Sequence, residues 1–282
     1  MFIIDFQQIV ISNFMVHLTS RTINKEEIDE DLIRHMILNS LRSIHNKFKK
    51  DYGDMVIAYD SGSWRKDVFP YYKAGRRKSR DKSIIDWGKL FTHLNQLKEE
   101  LKEALPYKII AVSRCEADDI IGCLVRLIGS HEKVMIVSGD RDFIQLHNKN
   151  VQQYDPVQKK RVKDRLSPAD FLYEHILRGC TGDGVPNVLS DDDTFVTEGK
   201  RQKPLTKKKI DMISNIFEDH DEAIEKNIKR NEQLIDLTKT PEELIIKITE
   251  QYANYPPRDK KGLYQYLMFN NCQQLLESIG DF

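Results

Sequence analysis

The chain has no apolar run approaching the ~20 residues that a membrane-spanning helix needs, and its opening stretch, Met1 to Val10, carries no basic residue and is interrupted by Asp5. Neither a membrane span nor a secretory leader is expected, and a cytosolic protein is. Its four cysteines, Cys115, Cys123, Cys180 and Cys272, are irregularly spaced and form no Cys-x-x-Cys pair. That excludes a zinc ribbon and a disulfide framework and predicts reduced thiols. Net charge is also missing, since 44 Lys and Arg balance 44 Asp and Glu. There is no internal repeat and no long low-complexity tract. What remains is a 282-residue chain, 40% hydrophobic, long enough for one large α/β domain or a core with a smaller appendage.

The charges are balanced in number but segregated along the chain. Five of the carboxylates in residues 113–142 fall in two clusters, Glu116, Asp118 and Asp119, then Asp140 and Asp142, with Glu132 apart from both. Between them lie an apolar stretch of helix length (Ile120, Ile121, Leu124, Leu127, Ile128) and the buried-strand run Val134–Val137. An acid at a helix start or a strand tip is commonly a cap or a turn residue, and each of these alone reads that way. Other apolar runs, however, also end on an acid. Phe2-Ile3-Ile4 leads to Asp5 and Met55–Tyr59 leads to Asp60. Asn24 with Glu27 resembles a capping box for a crossover helix reaching about Lys49, so Asp5 and Asp60 fall at equivalent strand ends. Ile109–Val112 runs into the Glu116 cluster. Open parallel sheets bind ligands beyond the carboxyl ends of their strands. Hard oxygen donors crowded there suit Mg²⁺ or Mn²⁺.

After Asp60 comes a stretch of opposite sign. Residues 65–82 carry eight basic side chains (Arg65, Lys66, Lys73, Arg76, Arg77, Lys78, Arg80, Lys82) against Asp67 and Asp81, interleaved with aromatics. Clustered cations favour a polyanion, and aromatics between them can stack bases. A solvated loop is the alternative, and it is the preferred reading for the third basic block, Lys200–Lys209; Lys159–Arg165 is the second. Further on, a helix from about Trp87 to Ala104, an edge strand over Val151–Tyr154, a helix starting at Ser167-Pro168 and running to about Arg178, and a Gly-rich turn carrying Asp183 are predicted. Helical patterns fill Leu205 to Phe282.

Taken in order, Asp5, Asp60, Glu116-Ala-Asp118-Asp119, Gly139-Asp140-Arg-Asp142 and Gly182-Asp183 resemble the acidic motifs of the 5′-nuclease (flap endonuclease) superfamily. Arg65 and Pro70-x-Tyr72-Lys73-x-x-Arg76 resemble the basic arch of those enzymes. Within the superfamily the likeness is to the ribonuclease H branch of T-even bacteriophages, through Ile4-Asp5-Phe6, Arg34-His35-x-Ile37-Leu38-Asn39-Ser40, Trp64-Arg65 and Gln145-Leu146-His147, and it covers nearly the whole chain.

The resemblance implies an α/β fold, a central mostly parallel sheet flanked by helices in a PIN/5′-nuclease-like core (residues 1–180, with the arch at 64–82), and a helical, duplex-binding C-terminal region (181–282). It implies that Asp5, Asp60, Glu116, Asp118 and Asp140 surround one Mg²⁺, and that Asp119, Asp142 and Asp183 hold or position a second, with Mn²⁺ able to substitute. Lys73 and Arg76 would neutralise the scissile phosphate, Tyr72 would stack on a base, and Arg65, Arg77 and Lys78 would join them on nucleic acid. The activity implied is 5′ to 3′ removal of RNA primers and adjoining DNA, with flap cleavage, by a monomer in the host-cell cytoplasm. A single-stranded-DNA-binding protein at the C-terminal helices is the implied protein partner. Two departures stand out. Cys180 replaces an Asp common in the family, predicting a weaker or missing second-metal contact, and Asn187 to Lys203 lacks the usual Gly-x-Gly of the duplex-gripping turn. The rival readings are a phosphatase of the aspartate-nucleophile type, against which the basic arch argues, and a catalytically weak structure-specific DNA-binding accessory protein.

Overall fold

A computed structural model describes residues 1–20, 29–76, 87–215 and 222–282. Six strands, β1 (Phe2–Asp5), β2 (Met55–Ala58), β3 (Lys108–Ile110), β4 (Val134–Val137), β5 (Val151–Asp155) and β6 (Lys160–Val162), form one sheet of order β3-β2-β1-β4-β5-β6. Every neighbouring pair is parallel except β5 with β6. Strands covered on both faces need apolar residues at consecutive positions, which is why β1, β2 and β4 are buried throughout. Successive side chains still alternate between faces. Phe2, Ile4, Ile57, Met135 and Val137 enter one core, and Ile3, Val56, Ala58, Val134 and Ile136 the other.

Helices α1 (Phe6–Ser20), α2 (Glu30–Tyr52) and, beyond the short α3 (Arg65–Val68), α4 (Trp87–Ala104) supply the first core with Phe14, Ile37, Leu41, Leu94 and Leu101. Helix α5 (Ala117–Ile128) supplies the second with Ile120, Ile121 and Leu124. After α6 (Pro168–Arg178), α7 (Lys207–Asn215) and α8 (Glu222–Ile235), the C-terminal helices return to the sheet. Leu244 and Ile248 of α9 (Glu242–Ala253) complete the second core. Leu263 and Leu267 of α10 (Lys261–Phe269), Leu275 of α11 (Gln273–Leu276) and Phe282 complete the first. The predicted parallel sheet, its helical layers and the C-terminal helices are therefore present.

Three elements differ from expectation. Helix α1 follows β1 without a break, whereas the sequence pattern predicted only the later crossover helix. That helix is capped by Asp29, whose side chain accepts the Leu32 N–H at 3.0 Å, and the expected cap at Asn24 and Glu27 lies outside the described residues. Finally, β5 is an interior strand, because Lys160–Val162 adds outside it as an antiparallel edge.

Candidate active site

The carboxyl ends of the parallel strands and the start of α5 converge on one open cleft. Asp5, Asp60, Glu116, Asp118 and Asp140 all line it, with Lys73 and Arg76 on its wall. Local bonds aim each acid. Asp5, the last residue of β1, accepts Ser138 Oγ at 3.0 Å and the Gln8 N–H at 3.2 Å. Asp60 accepts the Ala117 N–H at 2.7 Å, at the N-terminus of α5 where unpaired N–H groups favour an anion. Asp140 accepts the Asp142 N–H at 2.9 Å.

Crowding sets the electrostatics. Burial and the neighbouring Asp60 and Asp140 push Asp5 up to about 7. Burial and Asp140 push Asp118 far above the ordinary aspartate value. Asp142 is raised to about 8 by burial, Asp140 and Asp183. Oxygen donors that resist ionising together are a set whose charge a divalent cation would compensate, so the residues fit such an ion.

The basic segment after Asp60 closes over this cluster. Lys73 Nζ pairs with Glu116 Oε1 and lies 3.7 Å from Asp183 Oδ1. Burial acts to lower its pKa, but Asp183, Glu116 and Asp118 hold the ammonium above the ordinary lysine value. Arg76 reaches Asp183 Oδ1 at 2.5 Å and the Gly182 carbonyl at 3.2 Å. The Tyr72 hydroxyl donates to Glu116 Oε2 at 2.9 Å and contacts Asp183 Oδ2 at 3.2 Å. Glu116 is held below the ordinary value because Lys73 and Arg65 outweigh its burial.

Other expected site residues are placed elsewhere. Asp119 is fully buried and faces away from solvent: its carboxylate takes Arg65 at 2.9 Å, Trp64 Nε1 at 3.1 Å, Thr240 Oγ1 at 3.0 Å and the Glu116 N–H at 2.9 Å. With its oxygens so engaged, the geometry does not bring Asp119 to an ion as the resemblance implied. Arg65 is also corrected. It is 2% exposed and spends its guanidinium on Glu116, Asp119 and the Leu234 carbonyl, so it is a buried strut between α3, α5 and α8 and not a phosphate contact. The Tyr72 ring packs with Phe69, Ile176, Val185 and Ile235, which removes it from base stacking. Arg77 and Lys78 lie outside the described residues.

Sequence reasoning passed over several participants. Ser138 and Gln8 orient Asp5, Ser63 Oγ donates to Glu116 at 2.9 Å, and Lys98 Nζ donates to the Asp60 carbonyl at 2.9 Å. None has a spacing signal, since each meets its partner through the fold. His175, on the last turns of α6, lies with its Nδ1 3.5 Å from Asp142 Oδ1. Cys180, the departure noted above, follows Gly179 at the end of α6. One donor atom from each of Asp142, His175 and Cys180 lies within 4.8 Å of the others.

Comparison with known proteins places the sequence in a family. Residues 1–174 match the 5′-3′ exonuclease N-terminal resolvase-like domain, and residues 167–282 match the T4 RNase H C-terminal domain. Ribonuclease H of Enterobacteria phage T4 is 34% identical over 99% of this chain and 95% of its own. A 5′-3′ exonuclease of Buchnera aphidicola is 29% identical over 54% of each chain. Among solved structures, the T5 D15 protein with metal ions superposes with a TM-score of 0.60 at 15% identity, covering 96% of this chain and 97% of that one, which is a likeness of fold. With two family domains spanning the chain and a full-length relative, this protein belongs to the 5′-3′ exonuclease family, in the branch of phage T4 ribonuclease H.

Proposed function

We propose that the chain is a Mg²⁺-dependent 5′-nuclease that hydrolyses phosphodiester bonds of RNA–DNA hybrid and of duplex or flapped DNA, clearing RNA primers and adjoining DNA from lagging-strand fragments during phage replication. The observation that carries this reading is the cleft itself, where five acids from separate strand ends and one helix start meet beneath the basic segment 65–76. Asp5, Asp60, Glu116, Asp118 and Asp140 would hold one divalent ion and Asp142 with Asp183 a second, Mn²⁺ being able to replace Mg²⁺. Such ions supply water activation and neutralisation of an in-line displacement. No side-chain nucleophile is then required.

The protein's own part is positioning and charge. Lys73 and Arg76, already paired with Glu116 and Asp183, exchange those partners for the phosphate oxygens of a bound strand, where a preorganised cation is worth most. Ser138, Gln8 and the N-terminus of α5 hold Asp5 and Asp60 in place while the strand enters. Residues 1–180 act as the nuclease core and 181–282 as the duplex-binding region. The C-terminal helices offer a surface to a single-stranded-DNA-binding protein, and the enzyme works as a monomer in the host-cell cytoplasm.

The test is cleavage of a 5′-labelled flap duplex and an RNA-primed duplex, with Mg²⁺ and with EDTA, beside Asp140→Asn. Short 5′ products that need both Mg²⁺ and Asp140 are expected. Tight binding of intact duplexes would instead establish the accessory-protein reading.

A further inference from the structure

We infer that the cation position beside Asp142 is, in this chain, a mixed Asp142–His175–Cys180 site that takes a borderline transition-metal ion such as Zn²⁺ or Co²⁺ in preference to Mg²⁺. The inference deepens the reading above at its second ion and rests on that reading only for the ion's place next to the nuclease cleft.

The three donors are one carboxylate oxygen, one imidazole nitrogen and one sulfur, all within 4.8 Å of one another. Bonds of about 2.0–2.3 Å to such an ion set tetrahedral ligand atoms roughly 3.3–3.8 Å apart, so the set closes on an ion through small side-chain adjustments. His175 Nδ1 is the independent sign. It is buried and has no hydrogen-bond partner among the described residues, while Asp142 Oδ1 stands 3.5 Å away. A buried ring nitrogen without a partner costs free energy that ligation would recover.

The backbone builds the site. Gly179 ends α6 with φ +68, and a Cβ there would stand 2.4 Å from the Val185 carbonyl. The chain can therefore turn sharply, and Cys180 is fixed beside the helix by two 2.9 Å backbone bonds with Val185. Asp140 and Asp183 act electrostatically on both His175 and Cys180, which puts the site at the edge of the carboxylate cleft.

Ligand chemistry decides the metal. Mg²⁺ demands oxygen donors in near-octahedral array and gains little from thiolate or imidazole, whereas Zn²⁺ and Co²⁺ bind both. Three protein ligands leave a position open for water or a phosphate oxygen. The substitution that breaks the family's acidic pattern thus changes which ion the position prefers.

The test titrates Co²⁺ into metal-stripped full-length protein and follows absorption. A thiolate-to-cobalt charge-transfer band, displaced by Zn²⁺, is expected. Cys180→Ser should abolish the band and weaken Zn²⁺ binding by more than about 100-fold, since loss of an outer-shell partner alone costs about 10–100-fold. His175→Gln should weaken Zn²⁺ similarly, and Cys180→Asp should lower the Zn²⁺/Mg²⁺ affinity ratio; melting curves verify that each variant folds. Absence of the band, or the same band in Cys180→Ser, would overturn the site. Flap cleavage in Mg²⁺ on the same preparations separates the two readings: cleavage without a band refutes only the mixed site, and a band without cleavage refutes only the nuclease.

Discussion

The main-chain N–H of Lys73 donates to the carbonyl oxygen of Asp183 at 2.7 Å. The basic segment that follows β2 is thereby tied by backbone to the acidic turn 110 residues later, and the Arg76 bond to the Gly182 carbonyl repeats the tie. The approach depends on Gly184, which has φ +73 and leaves 3.0 Å between a Cβ and the Tyr71 carbonyl. Gly184→Ala must bear a left-handed backbone cost of about 1–2 kcal/mol and push the two segments apart. We expect modestly lower stability in urea titration and a larger loss of flap cleavage than that destabilisation explains. Unchanged cleavage would mean that the tie is dispensable.

Asp119 and Asp140 should separate stability from chemistry. Asp119→Ala leaves the Arg65 guanidinium buried without its main partner, a change worth about 3–5 kcal/mol, so its melting temperature should fall steeply. Asp140 is exposed and stands among like charges. Asp140→Asn should keep or raise the melting temperature in EDTA while cleavage drops by more than about 100-fold. Melting curves and flap assays on the two variants decide the matter, and a stable Asp119→Ala protein would contradict the strut assignment.

These residues mark what the sequence makes legible. Buried parallel strands are continuous apolar runs, so an acid ending each run stands out, and the cleft carboxylates Asp5, Asp60 and Asp140 could be read in advance. Helix α1 could not. Phe6, Ile9, Val10 and Phe14 are buried while Met15 and Val16 are exposed, so apolar residues surround the helix and no polar face or breaker separates it from β1. Arg65 and Tyr72 were misplaced for another reason. A basic, aromatic segment looks alike whether it faces solvent or carboxylates, and the partners that bury these two lie far along the chain, at Glu116 and the Leu234 carbonyl.

Metal-free stability should fall as pH rises. Asp5 and Asp142 are raised in the folded state to about 7 and about 8, against about 3.9 for an unfolded aspartate. Between those values the folded chain binds more protons than the unfolded one, so the stabilisation is complete below about pH 4 and is lost through about pH 8. The carboxylate cluster should therefore lower the melting temperature in EDTA between pH 5 and pH 8. A saturating divalent ion, which favours the charged forms, should raise it more at pH 8 than at pH 5. A cluster contribution that grew with pH in EDTA would refute the crowding of these acids.

Tyr71 and Tyr72 should exchange the roles that the sequence assigns. Tyr72 is buried and donates to Glu116, whereas Tyr71 is 36% exposed and meets Phe69 edge-on, with centroids 5.5 Å apart. Tyr71 is thus partly open to solvent on the segment that borders the cleft. Stacking of a base on an aromatic is worth about 1–3 kcal/mol, so Tyr71→Ala should weaken binding of a single-stranded 5′ flap by about that amount, with kcat retained. Tyr72→Phe keeps the packing and removes only the hydroxyl that helps hold Glu116, so it should lower kcat and leave flap affinity unchanged. Fluorescence anisotropy with a labelled flap, run beside single-turnover cleavage, separates the two. Equal loss of affinity in both variants would return base stacking to Tyr72.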